Sequence, residues 1–142
     1  MSALLKPGDL QKIANDMEMK KINEYRARAD KEKQHAKELH EAFVSRDIHP
    51  DVRDRVNNAI RHAAEQGLSE LRVMTFPATY CNDGGRRINN FDPDWPVSLE
   101  GFAKKAYEYY DKELRPLDYK LSAQVLNYPN GMLGDIGIFL KW

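Results

Sequence analysis

The segment with the most unusual chemistry is Cys81–Asn90, which reads CNDGGRRINN. Gly84 and Gly85 allow the backbone to take positive φ angles and to expose consecutive N–H groups. Arg86 and Arg87 follow directly and carry forked donors that suit phosphate or carboxylate. Together these features predict a nest that binds an anion or another small ligand. The candidate ligand-binding residues are Asp83, Gly84, Gly85, Arg86, Arg87 and Asn89.

A structural interpretation of the same segment stays open. The glycines do not belong to a Walker motif, because no Gly-Lys-Ser/Thr follows them. On this alternative, the segment is a turn that carries one arginine back onto the sheet or into a salt bridge with Asp83 or Asp92. The side chains then stabilise the fold and bind nothing.

Nucleophilic and metal chemistry have weaker support. Cys81, His62 and Asp83 supply the residue types of a nucleophile, a base and an orienting carboxylate. No known signature surrounds the cysteine, however, and its position after a strand is typical of a small buried cysteine. His35 and His40 are five residues apart, which places them about 140° apart around a helix. We therefore expect no catalytic residue, no metal site and no cofactor.

A cluster of tyrosines and lysines offers a third candidate surface. Tyr107, Tyr109 and Tyr110 lie in one helical segment beside Lys104 and Lys105. At about 100° per residue the three rings cannot all face inward. We expect Tyr110 in the core and Tyr107 or Tyr109 partly exposed. An exposed ring there would stack a base or join a protein interface, or would pack along the sheet edge with its hydroxyl in water.

The composition excludes the simplest electrostatic and membrane functions. Lys plus Arg and Asp plus Glu both number 22, whereas proteins that hold DNA or anionic membranes by bulk attraction carry a basic excess. No apolar run is long enough to cross a bilayer, and Lys6-Pro7-Gly8 interrupts any signal-peptide core. The single cysteine fits a reducing compartment. We therefore expect a cytoplasmic protein without membrane contact.

The N-terminal third predicts one long, charged helix. Residues 9–44 contain no proline or glycine and are rich in good helix formers, and Asp9 is the predicted N-cap. Its apolar residues are too few in the middle for a coiled coil, but Leu10, Ile13 and Met17 form an apolar stripe near its start. Such a helix needs a partner for stability. We therefore predict a projecting arm over residues 1–45.

The rest of the chain, residues 46–142, predicts a compact domain. A second helix begins at Pro50 and ends at Gly67, and a strand over 71–76 precedes a 21-residue loop over 77–97. A third helix capped by Ser98 ends before Pro116. Alternating strands then flank the turn signal Pro129-Asn130-Gly131.

These elements predict an α+β fold. The sheet is small, mixed and three-stranded, built from one strand plus the C-terminal hairpin, with the first strand parallel to a neighbour through a right-handed crossover. Helices cover one face. Ile136, Ile138, Leu140 and Trp142 share the inward side of the last strand.

The function that these patterns favour is a non-catalytic module for protein–protein association or self-association through the N-terminal helix. The predicted interface residues are Leu10, Ile13, Met17, Tyr107 and Trp142. One alternative is a nucleic-acid- or anion-binding protein that uses the Gly84–Arg87 loop with Lys104, Lys105 and an exposed tyrosine. The other is a small enzyme with its site in the 77–97 loop.

Overall fold

The structure, a computed structural model, describes residues 3–142. It contains two compact units, one ending at Glu41 and the other spanning Ala42–Trp142. The predicted boundary after residue 45 stays a prediction, and residues 1 and 2 of the predicted arm lie outside the described residues. Within the described residues, no helix is both long and apolar enough to cross a membrane.

Helix α1 spans Pro7–Ser45, which confirms the long N-terminal helix. It begins before Asp9, so the prediction that Asp9 is the N-cap is wrong. Pro7 occupies the first helical position, where a backbone N–H has no helical partner to lose. Asp9 Oδ2 instead accepts a hydrogen bond from the backbone N–H of Lys6 at 3.0 Å. A carboxylate reaching back in this way stabilises the first turn.

The second unit has three further helices and three strands. Helix α2 spans Val52–Glu65 and ends before Gly67, as predicted, but its N-cap is Asp51, so the prediction that it begins at Pro50 is wrong. The strands are β1 (Glu70–Pro77), β2 (Lys120–Val125) and β3 (Asp135–Lys141). Between β1 and β2 lie the single-turn helix α3 (Arg86–Asn89) and helix α4 (Gly101–Tyr109).

Helix α4 does not begin where the sequence predicts. Its N-cap is Glu100, and Ser98 belongs to a preceding 3₁₀ turn, Trp95–Ser98. The fully buried Ser98 hydroxyl donates a hydrogen bond to the carbonyl oxygen of Trp95 at 2.7 Å, so the prediction of Ser98 as the cap is wrong. At its other end α4 continues into a π-helical turn, Tyr110–Leu114.

The α+β class and the hairpin-plus-one-strand sheet are confirmed, but the parallel pairing is wrong. The strand order is β1-β3-β2, and both outer strands pair antiparallel with β3. The prediction placed the first strand directly beside a parallel neighbour. In the structure β3 lies between β1 and β2, so these two strands run in the same direction without sharing a hydrogen bond.

A β-bulge interrupts β1. Arg72 pairs with Phe139 and Met74 pairs with Ile138, which leaves Val73 without a partner in β3. The extra residue shifts the alternation by one position. For this reason Met74 packs against the core while Val73 is exposed.

The core lies between one face of the sheet and the helices. Ile136, Ile138 and Leu140 of the central strand are almost completely buried, as their alternation predicts. Phe76 from β1 and Ala103 from α4 belong to the same buried region. Burial of these apolar side chains is the main stabilising contribution to the unit.

Candidate functional site

The predicted 77–97 loop is in fact a series of short helical turns. Two 3₁₀ turns, Ala78–Tyr80 and Trp95–Ser98, flank helix α3. Gly85 precedes α3 with φ +91°, and a Cβ at this position would lie 3.0 Å from the Cβ of Ala78. Both the positive φ and the close approach favour glycine. The segment is thus closely packed and is not an open loop.

The Asp83 carboxylate accepts hydrogen bonds from backbone N–H groups that were predicted to bind an external anion. Its Oδ1 accepts a hydrogen bond from the N–H of Gly85 at 2.9 Å, and its Oδ2 accepts one from the N–H of Arg87 at 3.0 Å. The Arg87 guanidinium lies 3.4 Å from the same Oδ2. An internal carboxylate therefore caps the start of α3. This is the Asp83 salt bridge of the structural alternative.

Arg87 also contacts a second carboxylate. Its Nε lies 3.2 Å from Oδ2 of Asp94, and not from the side chain of Asp92 that the sequence offered as the other partner. The positive charge of Arg87 is therefore balanced within the protein. Arg86 and Gly84 are exposed, and the Asn89 side chain accepts a hydrogen bond from the Tyr128 hydroxyl at 2.9 Å. Ligand binding by these residues stays a prediction.

The contacts of Asp83 explain its ionisation. Burial opposes the charged form, but hydrogen bonds from the backbone N–H groups of Arg87 and Gly85 and the charge of Arg87 outweigh it, and the pKa of Asp83 lies below its ordinary value. Stability from this carboxylate is present above the pKa of the unfolded chain. It is lost as the pH falls through the lower folded-state pKa.

Replacing Asp83 by alanine should lower the free energy of unfolding by about 1–2 kcal/mol, because the start of α3 loses its cap and Arg87 loses a partner. Urea denaturation followed by circular dichroism measures the effect. Asp94→Ala is the matched control, since the Asp94 side chain is 60% exposed and that of Asp83 only 11%. The control should cost less than about 0.5 kcal/mol. Equal losses would contradict the capping role of Asp83.

Cys81 does not have the properties of a nucleophile. The thiol is buried, and burial raises its pKa to about 11, although a hydrogen bond with Ser98 acts in the opposite direction. A catalytic cysteine needs a lowered pKa, because the thiolate is the reactive form. The ring of His62 contacts the Gln66 amide at 3.1 Å. Among the described residues, no group of three or more His, Cys, Asp or Glu side chains is arranged to hold a metal ion.

The raised pKa of Cys81 predicts a loss of stability in alkali. The folded protein holds the thiol proton more tightly than the unfolded chain, so stability should fall as the pH rises from 9.0 toward 11. Urea denaturation across this range tests the prediction, with Cys81→Ala as the variant that lacks this component. The thiol should also react slowly with a disulfide reagent at neutral pH and rapidly in urea. Rapid reaction in the folded state would contradict the burial.

The tyrosine and lysine cluster is largely engaged in internal contacts. Tyr110 is buried as predicted, and its hydroxyl donates to the carbonyl oxygen of Tyr119 at 2.7 Å. Tyr107 is half-buried and accepts a hydrogen bond from Arg115 at 2.8 Å. Lys105 Nζ pairs with Asp47 at 2.6 Å. Tyr109 is also half-buried, and Lys104 is exposed.

The predicted interface residues lie in different parts of the chain. Leu10, Ile13 and Met17 are exposed on α1, in which no residue is buried. Trp142 follows the last residue of β3, is exposed, and meets the Tyr119 ring edge-on at 6.3 Å. The prediction that it shares the inward side of β3 with Leu140 is therefore wrong, because the strand ends at Lys141. All five residues stay predictions as interface residues.

A feature that the sequence did not indicate is a cavity in the second unit between α2, α4 and the sheet. Arg46 and Arg55 contribute to its lining. No local motif marks these two arginines, because the residues of the cavity come together only when the helices pack on the sheet.

No protein-family model matches this chain, and neither a curated protein nor a solved structure is significantly similar to it.

Proposed function

We propose that this protein is a non-catalytic association module that binds a protein partner through the N-terminal end of helix α1. The observation that carries the proposal is a helix of 39 residues in which none is buried. Helices in proteins gain most of their stability from packing an apolar face against another element. The unit that ends at Glu41 has no second helix or strand within its described residues to cover such a face.

The contact surface proposed is the stripe formed by Leu10, Ile13 and Met17. At about 100° per residue these positions fall within about 60° of one another around the helix. Lys20, Lys21 and Glu24 end the stripe. The partner therefore contacts the first turns of α1, whereas Phe43 in the last turn packs against the core of the second unit.

The contacts in the second unit support a structural role for the groups that would otherwise indicate catalysis or anion binding. The displaced pKa values of Cys81, Asp83 and Arg115 follow from burial, capping and tyrosine contacts respectively. Arg87 and Lys105 already have carboxylate partners. Two of the four cations of the nucleic-acid hypothesis are therefore balanced internally, which favours the association module over both alternatives.

A second copy is the partner to test first, by multi-angle light scattering of the full chain over a range of concentrations. Leu10→Ser with Met17→Ser should weaken association at least tenfold, because two large apolar contacts per copy are lost. Met19→Ser with Ile22→Ser is the matched control. Met19 and Ile22 are 55% and 45% exposed, which is close to the 54% and 49% of Leu10 and Met17. Met19 lies on the opposite side of the helix from Leu10.

Hydrogen–deuterium exchange of residues 7–41 provides a second readout. Association through the stripe should slow amide exchange as the protein concentration rises, and the stripe variant should lose this effect. A chain that stays monomeric, or a control pair that weakens association as much as the stripe pair, would contradict self-association through this surface.

A further inference from the structure

The second unit contains a cavity of about 480 Å³ between helix α2, helix α4 and the sheet. Its walls are mostly apolar, with Val56 and Ala59 on α2 and Ala106 on α4, and Ile138 and Leu140 form part of its floor. Cavities that hold small molecules have volumes of roughly 300–1,000 Å³ and mostly apolar walls. The space is therefore large enough for a small ligand.

Two backbone irregularities border this same cavity. The β-bulge at Val73 lies in the part of β1 that lines it, and the π-helical turn Tyr110–Leu114 contributes both of its end residues to the wall. Bulges and π turns interrupt regular hydrogen bonding, and both are over-represented next to functional sites. Their coincidence at one cavity is an observation independent of its volume.

The charged side chains of the lining are all arginines, and none of them has a carboxylate partner among the described residues. The Arg46 guanidinium carbon lies 4.2 Å from the centre of the Phe102 ring, and an Arg55 amino nitrogen lies 3.1 Å from Nε2 of His49. Neither arginine takes part in the ion pairs formed by residues 3–142. Arg53, on the same helix as Arg55, is paired with Glu113. Arg72 also lines the cavity and forms none of these ion pairs, so three arginines without acidic partners lie beside an apolar cavity.

We propose that this cavity binds a small amphipathic carboxylic acid, whose apolar body lies between α2 and α4 and whose carboxylate contacts Arg46 and Arg55. Guanidinium groups form forked hydrogen bonds with carboxylates, and such charge-assisted bonds are stronger than neutral ones. The apolar body would cover surface that is otherwise in contact with water. This site shares no residue with the association surface of α1, and the two proposals stand independently.

The test uses decanoate as the probe and decanol as its uncharged counterpart, both below the concentration at which they aggregate. Titration of the full chain, followed by amide chemical shifts, should show saturable binding of decanoate with shifts centred on Ala59, Ala106 and Ile138. Decanol should bind at least tenfold more weakly, because it cannot form the ionic contact. Absence of saturable binding, shifts confined to other parts of the chain, or equal affinity for the two probes would overturn the proposal.

Two sets of variants separate the ionic contact from the cavity. Arg46→Gln with Arg55→Gln should weaken decanoate binding at least tenfold and leave decanol binding unchanged. Arg53→Gln with Arg61→Gln, which alters two arginines of α2 outside the lining, should change neither. Ala106→Phe should abolish binding of both probes by filling the space. If Ala106→Phe does not fold, the two arginine double variants test the proposal without it. Equal weakening of decanoate binding by both double variants would overturn the proposal.

Discussion

Replacing Ile136 by alanine should lower the free energy of unfolding by about 3–4 kcal/mol. Ile136 has no exposed surface and lies in the central strand, where it pairs with Phe76 on one side and Val125 on the other. Truncation removes buried methyl groups and leaves a space that both neighbouring strands border. Because small domains are stable by only about 5–15 kcal/mol, this loss is a large part of the total. Urea denaturation followed by circular dichroism measures it.

Val73→Ala is the matched control for this prediction. It also shortens a branched aliphatic residue of the sheet, but Val73 lies in the bulge of an outer strand and is 42% exposed. Its loss should be less than about 1 kcal/mol, because the side chain is already in contact with water. Similar losses for the two variants would contradict the assignment of Ile136 to the centre of the core.

The hairpin and the inward face of its second strand could be predicted from the sequence, because the patterns that indicate them are local. Alternation places Ile136, Ile138 and Leu140 on one side of a strand, and the preceding Pro129–Gly131 turn connects that strand to its neighbour. Each of these features depends on residues close together in the chain. The same reasoning predicted α1, whose composition alone favours a helix.

The pairing of β1 could not be derived in the same way. Alternation states which side of a strand is apolar, but it does not identify the neighbouring strand, and either edge of the hairpin offers free backbone groups. The bulge at Val73 also breaks the alternation that marked this strand. Strand order depends on how the intervening helices pack, which is a property of the whole unit.

The candidate sites show the same division between local and long-range information. Asp83 and Arg87 are four residues apart, so their ion pair was among the alternatives that the sequence offered. The second ion pair of Arg87, with Asp94, forms only because the turn before Trp95 brings Asp94 close to Arg87. Arg46 and Arg55 became candidates only through the cavity beside them, because neither lies in a recognisable motif.

Gly101→Ala should destabilise the second unit by about 3 kcal/mol, from two sources. Gly101 has φ +58°, and a side chain in this left-handed region costs about 1 kcal/mol or more. A Cβ at position 101 would also lie 2.8 Å from the Cα of Val44 and 3.2 Å from the carbonyl oxygen of Phe43. Both neighbours are backbone atoms, so they cannot move away as the end of a flexible side chain would.

Gly67→Ala separates these two sources. Gly67 also has a positive φ, +78°, but nothing lies within 4 Å of the position where its Cβ would be. This variant should therefore lose only the conformational part, about 1 kcal/mol. The difference in the loss of unfolding free energy between the two variants measures the cost of the close contact between the start of α4 and residues 43 and 44. The ring of Phe43 lies 4.8 Å from that of Tyr80 and 5.5 Å from that of Phe76, so Gly101→Ala should also displace these aromatic contacts. Equal losses at Gly101 and Gly67 would show that the close approach contributes nothing to stability.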